Sequence, residues 1–316
     1  MDLQNIFMLL FYWLFLSGTV FVAGAFSARI FVTGPSGADI CVHPGAKSCF
    51  GELAARTIFV AALITFVVNA AHLILHVSVV TEAPLKEVFQ AVPAFLLKTK
   101  YGRLTILRTV LLAGIIFMSF LNLKGNNRWM VIAGTVFSFS LLAVFSMSGH
   151  QGARGYTNVP FFMDMFHIIS VSLWIGGLFF MRICFSFFLK ETAVEFFENF
   201  KSLINRFSSM ATLCVFVAGI TGAGIALFNL ESLEELVDTE YGGVLLVKAV
   251  LAGIIFLLGG VNKIFLIPPL NAIEKEKWPE VAALKKRLFF VVSAEAYLGC
   301  LVLLLTSVLT HLSPEG

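Results

Sequence analysis

Eight apolar runs of about twenty residues or more dominate the chain, near 6–31, 53–80, 103–121, 130–148, 161–183, 207–228, 243–262 and 288–311. Coiled as an α-helix at about 1.5 Å per residue, a run of this length matches the hydrocarbon thickness of a bilayer. Lipid offers no partner to a backbone amide, so each segment must satisfy its own, and helices do this. Composition agrees: 59% of the 316 residues are hydrophobic and only 13% are charged, with a mean hydropathy of +0.92. Soluble domains carry roughly 25% charged residues. The sequence predicts an all-α integral membrane protein with eight transmembrane helices. The first run does not read as a cleavable signal peptide, because "MDLQN" lacks positive charge and the apolar stretch after it is too long.

Two connectors have one apolar face and read as helices lying in the membrane interface. In 84–98 the face is Leu85, Val88, Phe89, Val92, Phe95 and Leu96; in 191–206 it is Val194, Phe197, Phe200, Leu203 and Ile204. Eight spans put both termini on one side, and the positive residues choose which. Fifteen Lys and Arg residues flank the loops after spans one, three, five and seven, against five (Lys86, Lys98, Lys100, Arg103 and Arg154) on the other face. The first face is therefore expected in the cytoplasm. Both termini then face the periplasm of a bacterial inner membrane. The net charge of +3 carries no message about nucleic acid in such a protein, and none is expected as a partner.

On this map five of the six histidines share one depth. His72 and His76 lie toward the outer end of span two, His150 follows span four, His167 sits about two turns into span five and His311 ends span eight. Ionisable groups inside a membrane are functional candidates by default. His72 and His76, four residues apart, present both imidazoles on one helix face. Met147 and His150 pair a thioether with an imidazole, and Asp164 is placed three residues before His167, where a carboxylate can fix the ring's tautomer. Imidazole with thioether suits copper. The candidate metal ligands are His150, His167, His72, His76 and Met147. His311, close to the C-terminus, reads as an interfacial residue. Arg108 and Lys248 lie within spans, and Glu295 in span eight is a candidate partner for a cation or a lysine. No HExxH, CxxC, Walker or GxGxxG pattern occurs, so hydrolase, ATPase and dinucleotide chemistry have no support. A transporter rather than an enzyme is expected. Paired histidines on facing helices also hold b-type haem, so an electron-transfer subunit or cupric reductase is the alternative.

The chain repeats itself. "TKYGRLTILR" at 99–108 resembles "TEYGGVLLVK" at 239–248, "AGIIF" recurs at 113–117 and 252–256, and Ser146/His150 is matched by Ser307/His311. The reading is two four-helix halves, 1–158 and 159–316, related by an axis along the membrane normal. His150 and His167 flank the junction between them.

"SGHQGA" at 148–153, "FHIISVSLWIGGL" at 166–178, "RFSSMATLCVFVAGITG" at 206–222, "YGGVLLVKAVLAGIIF" at 241–256 and "EAYLGCLVLLLTSVL" at 295–309 together resemble the CopD family, the copper resistance D proteins. The likeness runs in order through most of 99–311 and is looser over 1–98. It implies an eight-span inner-membrane protein associated with copper uptake from the periplasm, often partnered by a periplasmic copper chaperone of the CopC type. His150 and His167 match the family's histidine motifs; His72 and His76 rest on spacing alone. The outer loops are too short to hold a chaperone domain. Cys41, His43 and Cys49 share the loop 32–52. In the cytoplasm those thiols would stay reduced and able to receive metal; outside, Cys41 and Cys49 would form a disulfide.

Overall fold

A computed structural model describes residues 3–31, 50–82, 84, 86–123, 127–153, 155–188, 197–230, 232, 234–274, 277 and 282–312; the side chains of Leu3, Phe50, His150, Phe187 and Phe188 lie outside the description. The loop carrying Cys41, His43 and Cys49 also lies outside the described residues. The helices in chain order are α1 Leu3–Phe31, α2 Phe50–Thr81, α3 Val88–Lys98, α4 Lys100–Leu121, α5 Arg128–Ser148, α6 His150–Ala153 and α7 Val159–Val171. They continue with α8 Gly177–Phe188, α9 Phe197–Asn229, α10 Glu235–Asp238, α11 Glu240–Val261, α12 Ile267–Ala272 and α13 Ala282–His311. One π-helical turn, Ser172–Gly176, joins α7 to α8, and a second, Asn262–Leu266, joins α11 to α12. No strand occurs among the described residues.

Among the described residues eight helices are long and apolar enough to cross a membrane: Gln4–Phe31, Gly51–Thr81, Lys100–Leu121, Arg128–Ser148, Val159–Ser186, Phe197–Asn229, Glu240–Ala272 and Ala282–His311. Each contains most of one apolar run. The chain is a multi-pass α-helical membrane protein. Much of its large apolar surface, such as Val67, Phe216, Leu257 and Phe290, is exposed, as lipid-facing side chains must be.

One difference lies before span six. Over the described part of the 191–206 connector no separate interfacial helix stands; from Phe197 onward the segment is the opening of α9. Neither Gly nor Pro interrupts "FENFKSLINRF", so the helix runs on without a break. Its Phe197, Phe200, Leu203 and Ile204 are buried in the main core, so this face packs against protein. The 84–98 connector does form a short helix, α3, whose Val88 and Phe95 cover Val77 and Tyr101.

The first helix is the hub. α1 packs against α2 and α5 on one side and against the Ser172–Gly176 turn, α8 and α13 on the other. Small residues permit the closest crossing: a Cβ added to Gly176 would stand 2.1 Å from the Val20 carbonyl oxygen, and one on Gly24 would stand 2.4 Å from the Gly176 carbonyl carbon. The backbones touch here, and only glycine fits.

α4 and α11 begin with the same device. Thr99 caps α4 by accepting from the Gly102 amide at 2.8 Å, and Thr239 caps α11 by accepting from the Gly242 amide at 3.0 Å. Each threonine hydroxyl also donates back, at 2.8 Å, to the carbonyl four residues before it, Phe95 or Glu235. Such caps typically contribute about 1 kcal/mol. A Cβ on Gly102 or Gly242 would strike that same carbonyl, so the glycine belongs to the device.

Candidate metal centre

The four-residue spacing on α2 does what helical geometry requires. The His72 and His76 rings lie 5.9 Å apart and 22° from parallel. His72 is buried and His76 half-buried. Around them stand Tyr12 of α1, 5.5 Å from the His72 ring, and Tyr101 of α4, stacked on His76 at 4.3 Å. Phe15 and Phe95 close the sides, at 6.4 Å from His72 and 5.8 Å from His76. Among the described residues no hydrogen bond reaches either imidazole, so their nitrogen lone pairs are uncommitted.

Arg108 adjoins this pair. It is 1% exposed, and its guanidinium lies over the rings of Tyr101 at 4.9 Å, Phe145 at 5.4 Å and Phe15 at 5.9 Å. No ion pair or hydrogen bond reaches it among the described residues, and its Nε is buried without an acceptor. Three aromatic faces take the place of a counter-ion.

His311 is not a bystander. Its ring meets Tyr12 edge-on at 5.5 Å, on the ring that also faces His72. Its Nδ1 donates to the Ser307 carbonyl at 2.8 Å, and the Ser307 hydroxyl donates to the Leu9 carbonyl at 2.9 Å, tying α13 to α1. Tyr12 thus joins the first and last spans around the α2 pair. Sequence reasoning missed this, because nothing in the spacing of Tyr12 and His311 brings helices one and eight together.

His167 is held from another direction. Its Nδ1 lies 3.0 Å from the Ala218 carbonyl oxygen and 3.3 Å from the Thr221 hydroxyl, both on α9. A carbonyl only accepts, so Nδ1 carries the proton and Nε2 of the neutral ring keeps its lone pair. Gly222 makes room for the ring: a Cβ there would sit 2.9 Å from Cε1. The orienting role expected of Asp164 therefore falls to Ala218. Asp164 instead accepts from the Ser146 hydroxyl at 2.6 Å and joins α7 to α5.

Met147 is half-buried against the main core. His150 begins α6, a single turn that folds back so closely that a Cβ on Gly152 would stand 2.3 Å from the Met147 carbonyl oxygen. Two bonds pin that turn, and a third braces the partner of one of them. Lys100 Nζ donates to the Gly152 carbonyl at 3.1 Å, Gln151 donates to Asn229 Oδ1 at 2.8 Å, and Asn229 donates to the Tyr241 hydroxyl at 3.1 Å. Among the described residues no three His, Cys, Asp or Glu side chains group around a single metal position. The structure pairs His72 with His76, brings His311 to the same tyrosine, and sets His167 of α7 apart, held against α9.

The model of the family "Copper resistance protein D" matches residues 201–309, and that of "Copper resistance protein D-like, N-terminal domain" matches residues 3–158. "Copper transport protein CutJ" of Bacillus subtilis (strain 168) is 30% identical over 134 residues. That match covers 41% of this chain and 24% of that protein, so the chain spans about a quarter of its relative's length. No solved structure matches. The two family models together take in both ends of the helical bundle, the α2 histidines and the α9 segment that holds His167, and the chain belongs to the copper resistance protein D family.

Proposed function

We propose that this protein is a copper permease of the bacterial inner membrane, taking copper from the periplasm into the cytoplasm. The observation that carries the reading is the His72–His76 pair, buried between α1 and α4 with its ring nitrogens uncommitted, in a chain of this family. A soft cation is the ligand such nitrogens suit. His150, His167 and Met147 complete the proposed set, with the Nε2 of His167 available because the other ring nitrogen, Nδ1, donates its N–H to the Ala218 carbonyl. Both termini face the periplasm, where a CopC-type chaperone would deliver the metal. The halves 1–158 and 159–316 form two repeats, a reading supported by the duplicated Thr–Gly cap of α4 and α11.

Purified protein reconstituted in vesicles tests this in one sample. Copper bound per chain and copper uptake are measured together with the visible spectrum. Saturable uptake, lost when His72 and His76 are both replaced by Ala, is expected. A Soret band without copper binding would instead identify a b-type cytochrome.

A further inference from the structure

Glu295 lies seven residues past Leu288, where the apolar run of α13 begins, about 10 Å along the helix. That position is within the membrane-spanning run, where a lone carboxylate needs a compensating positive charge. Yet Glu295 is 4% exposed, and among the described residues no cation pairs with it. Among the described residues its hydrogen-bond donor is the Asn262 amide, at 2.5 Å from Oε1, and the buried Asn262 Oδ1 receives no donor.

Both side chains line a cavity of about 270 Å³ between α8, α9, the α11–α12 segment and α13. The space is large enough for several water molecules. Each π-helical turn contributes to its wall, through Trp174 from one and Asn262 with Lys263 from the other. Such turns are rare and frequently mark functional sites. Charged and titratable groups on the elements around Glu295 include Arg182 and Cys184 of α8, Cys214 of α9, Lys263, Arg29 of α1 and Lys285 of α13 itself. Lys263 donates to the Thr212 hydroxyl at 2.9 Å and Arg182 to the Tyr297 hydroxyl at 3.1 Å.

We propose that Glu295 and Asn262 form an exchange site that holds either a proton or the transported metal cation, so that each ion moving inward displaces one proton. The proposal rests on the transport reading above and names what the transport is coupled to. With a proton, the carboxyl is neutral and its O–H supplies the donor that Asn262 Oδ1 lacks. When the cation arrives, that O–H bond breaks and the proton passes to cavity water. The carboxylate and amide oxygens then face the ion. No electron changes hands. When the ion leaves, water returns a proton and the O–H bond re-forms. Two oxygens hold a copper ion less firmly than imidazoles do, which suits a site that must release its cargo.

A hydrophobic carbodiimide tests the site directly, because it adds to a carboxyl group in its protonated form and not to the carboxylate. In the full-length, metal-free protein, mass spectrometry of peptides is expected to find Glu295 modified. Copper(I) kept reduced by ascorbate should protect it. The isosteric Glu295→Gln variant should still bind copper at the outer histidines, yet release about one proton fewer per ion taken up in vesicles. Absence of modification in the metal-free protein would overturn the proposal. Equal modification with and without bound copper would overturn it too. Should wild-type protein take up no copper at all, the transport reading fails instead, and the two failures are distinct because the metal-free carbodiimide reaction does not depend on copper.

Discussion

The imidazoles of His72 and His76 face each other at 5.9 Å with their planes 22° apart, and a phenol ring backs each of them. One ion held by both rings couples them energetically. Each single Ala variant is expected to weaken copper(I) binding by more than about tenfold, or ~1.4 kcal/mol. The double variant should lose less than the sum, whereas independent sites add within about 0.3–0.5 kcal/mol. Competition against a chromophoric copper(I) chelator measures all three affinities. Wild-type affinity in the double variant would remove α2 from the site.

A second test moves a candidate ligand without deleting it. In Gly222→Ala the new methyl would press on His167 at 2.9 Å from Cε1 and push the ring off the Ala218 carbonyl. Loss of that hydrogen bond should cost about 1 kcal/mol of stability. Copper affinity should fall more than the melting temperature suggests, because Nε2 loses its aim. If the melting temperature falls and affinity holds, His167 is a packing residue.

The spans were legible because a bilayer sets one length and one polarity for everything that crosses it, and the eight apolar runs read directly as eight helices. The His72–His76 pair was legible for a similar reason, since a spacing of four fixes a shared face. What stayed hidden depends on contacts between distant helices. Tyr12 meets His311 only because α1 lies against α13, and no local pattern reports that. Asp164, three residues from His167, looked like its partner, but Ser146 on a neighbouring helix stands where the carboxylate points. The π-helical turns escaped notice because they alter backbone pairing without altering hydrophobicity. The opening of α9 was mistaken for an interfacial helix, since an apolar face looks the same whether lipid or protein covers it.

The crossing of α1 with the Ser172–Gly176 turn should tolerate nothing larger than glycine. A Cβ at Gly176 would lie 2.1 Å from the Val20 carbonyl oxygen, and both sides of that contact are backbone. Gly176→Ala is expected to destabilise by at least the 1–3 kcal/mol typical of overpacking, about what a rigid contact demands. Gly243→Ala is the control, because a Cβ there meets nothing within 4 Å. Thermal unfolding in detergent compares the two. Equal melting temperatures would show that α1 does not dock this closely.

Arg108 separates charge from shape. The guanidinium is buried among Tyr101, Phe145 and Phe15 with no carboxylate paired to it among the described residues. A lysine keeps the charge but cannot stack its plane on the rings, and an ammonium is harder to strip of water. Arg108→Lys should therefore lower stability by about 1–2 kcal/mol, the scale of a desolvated cation–π contact. Arg108→Met keeps most of the volume and removes the charge, and replacing a buried charge with a packed apolar side chain is often neutral or stabilising. The methionine variant should thus melt at or above the wild-type temperature while the lysine variant melts below it. Such an order would mean that the charge beside His72 and His76 is retained for something other than folding. Since a cation at that position repels a metal ion on the neighbouring imidazoles, Arg108→Met should also bind copper(I) more tightly. A methionine variant that melts as low as the lysine one would show instead that the guanidinium holds α1, α4 and α5 together.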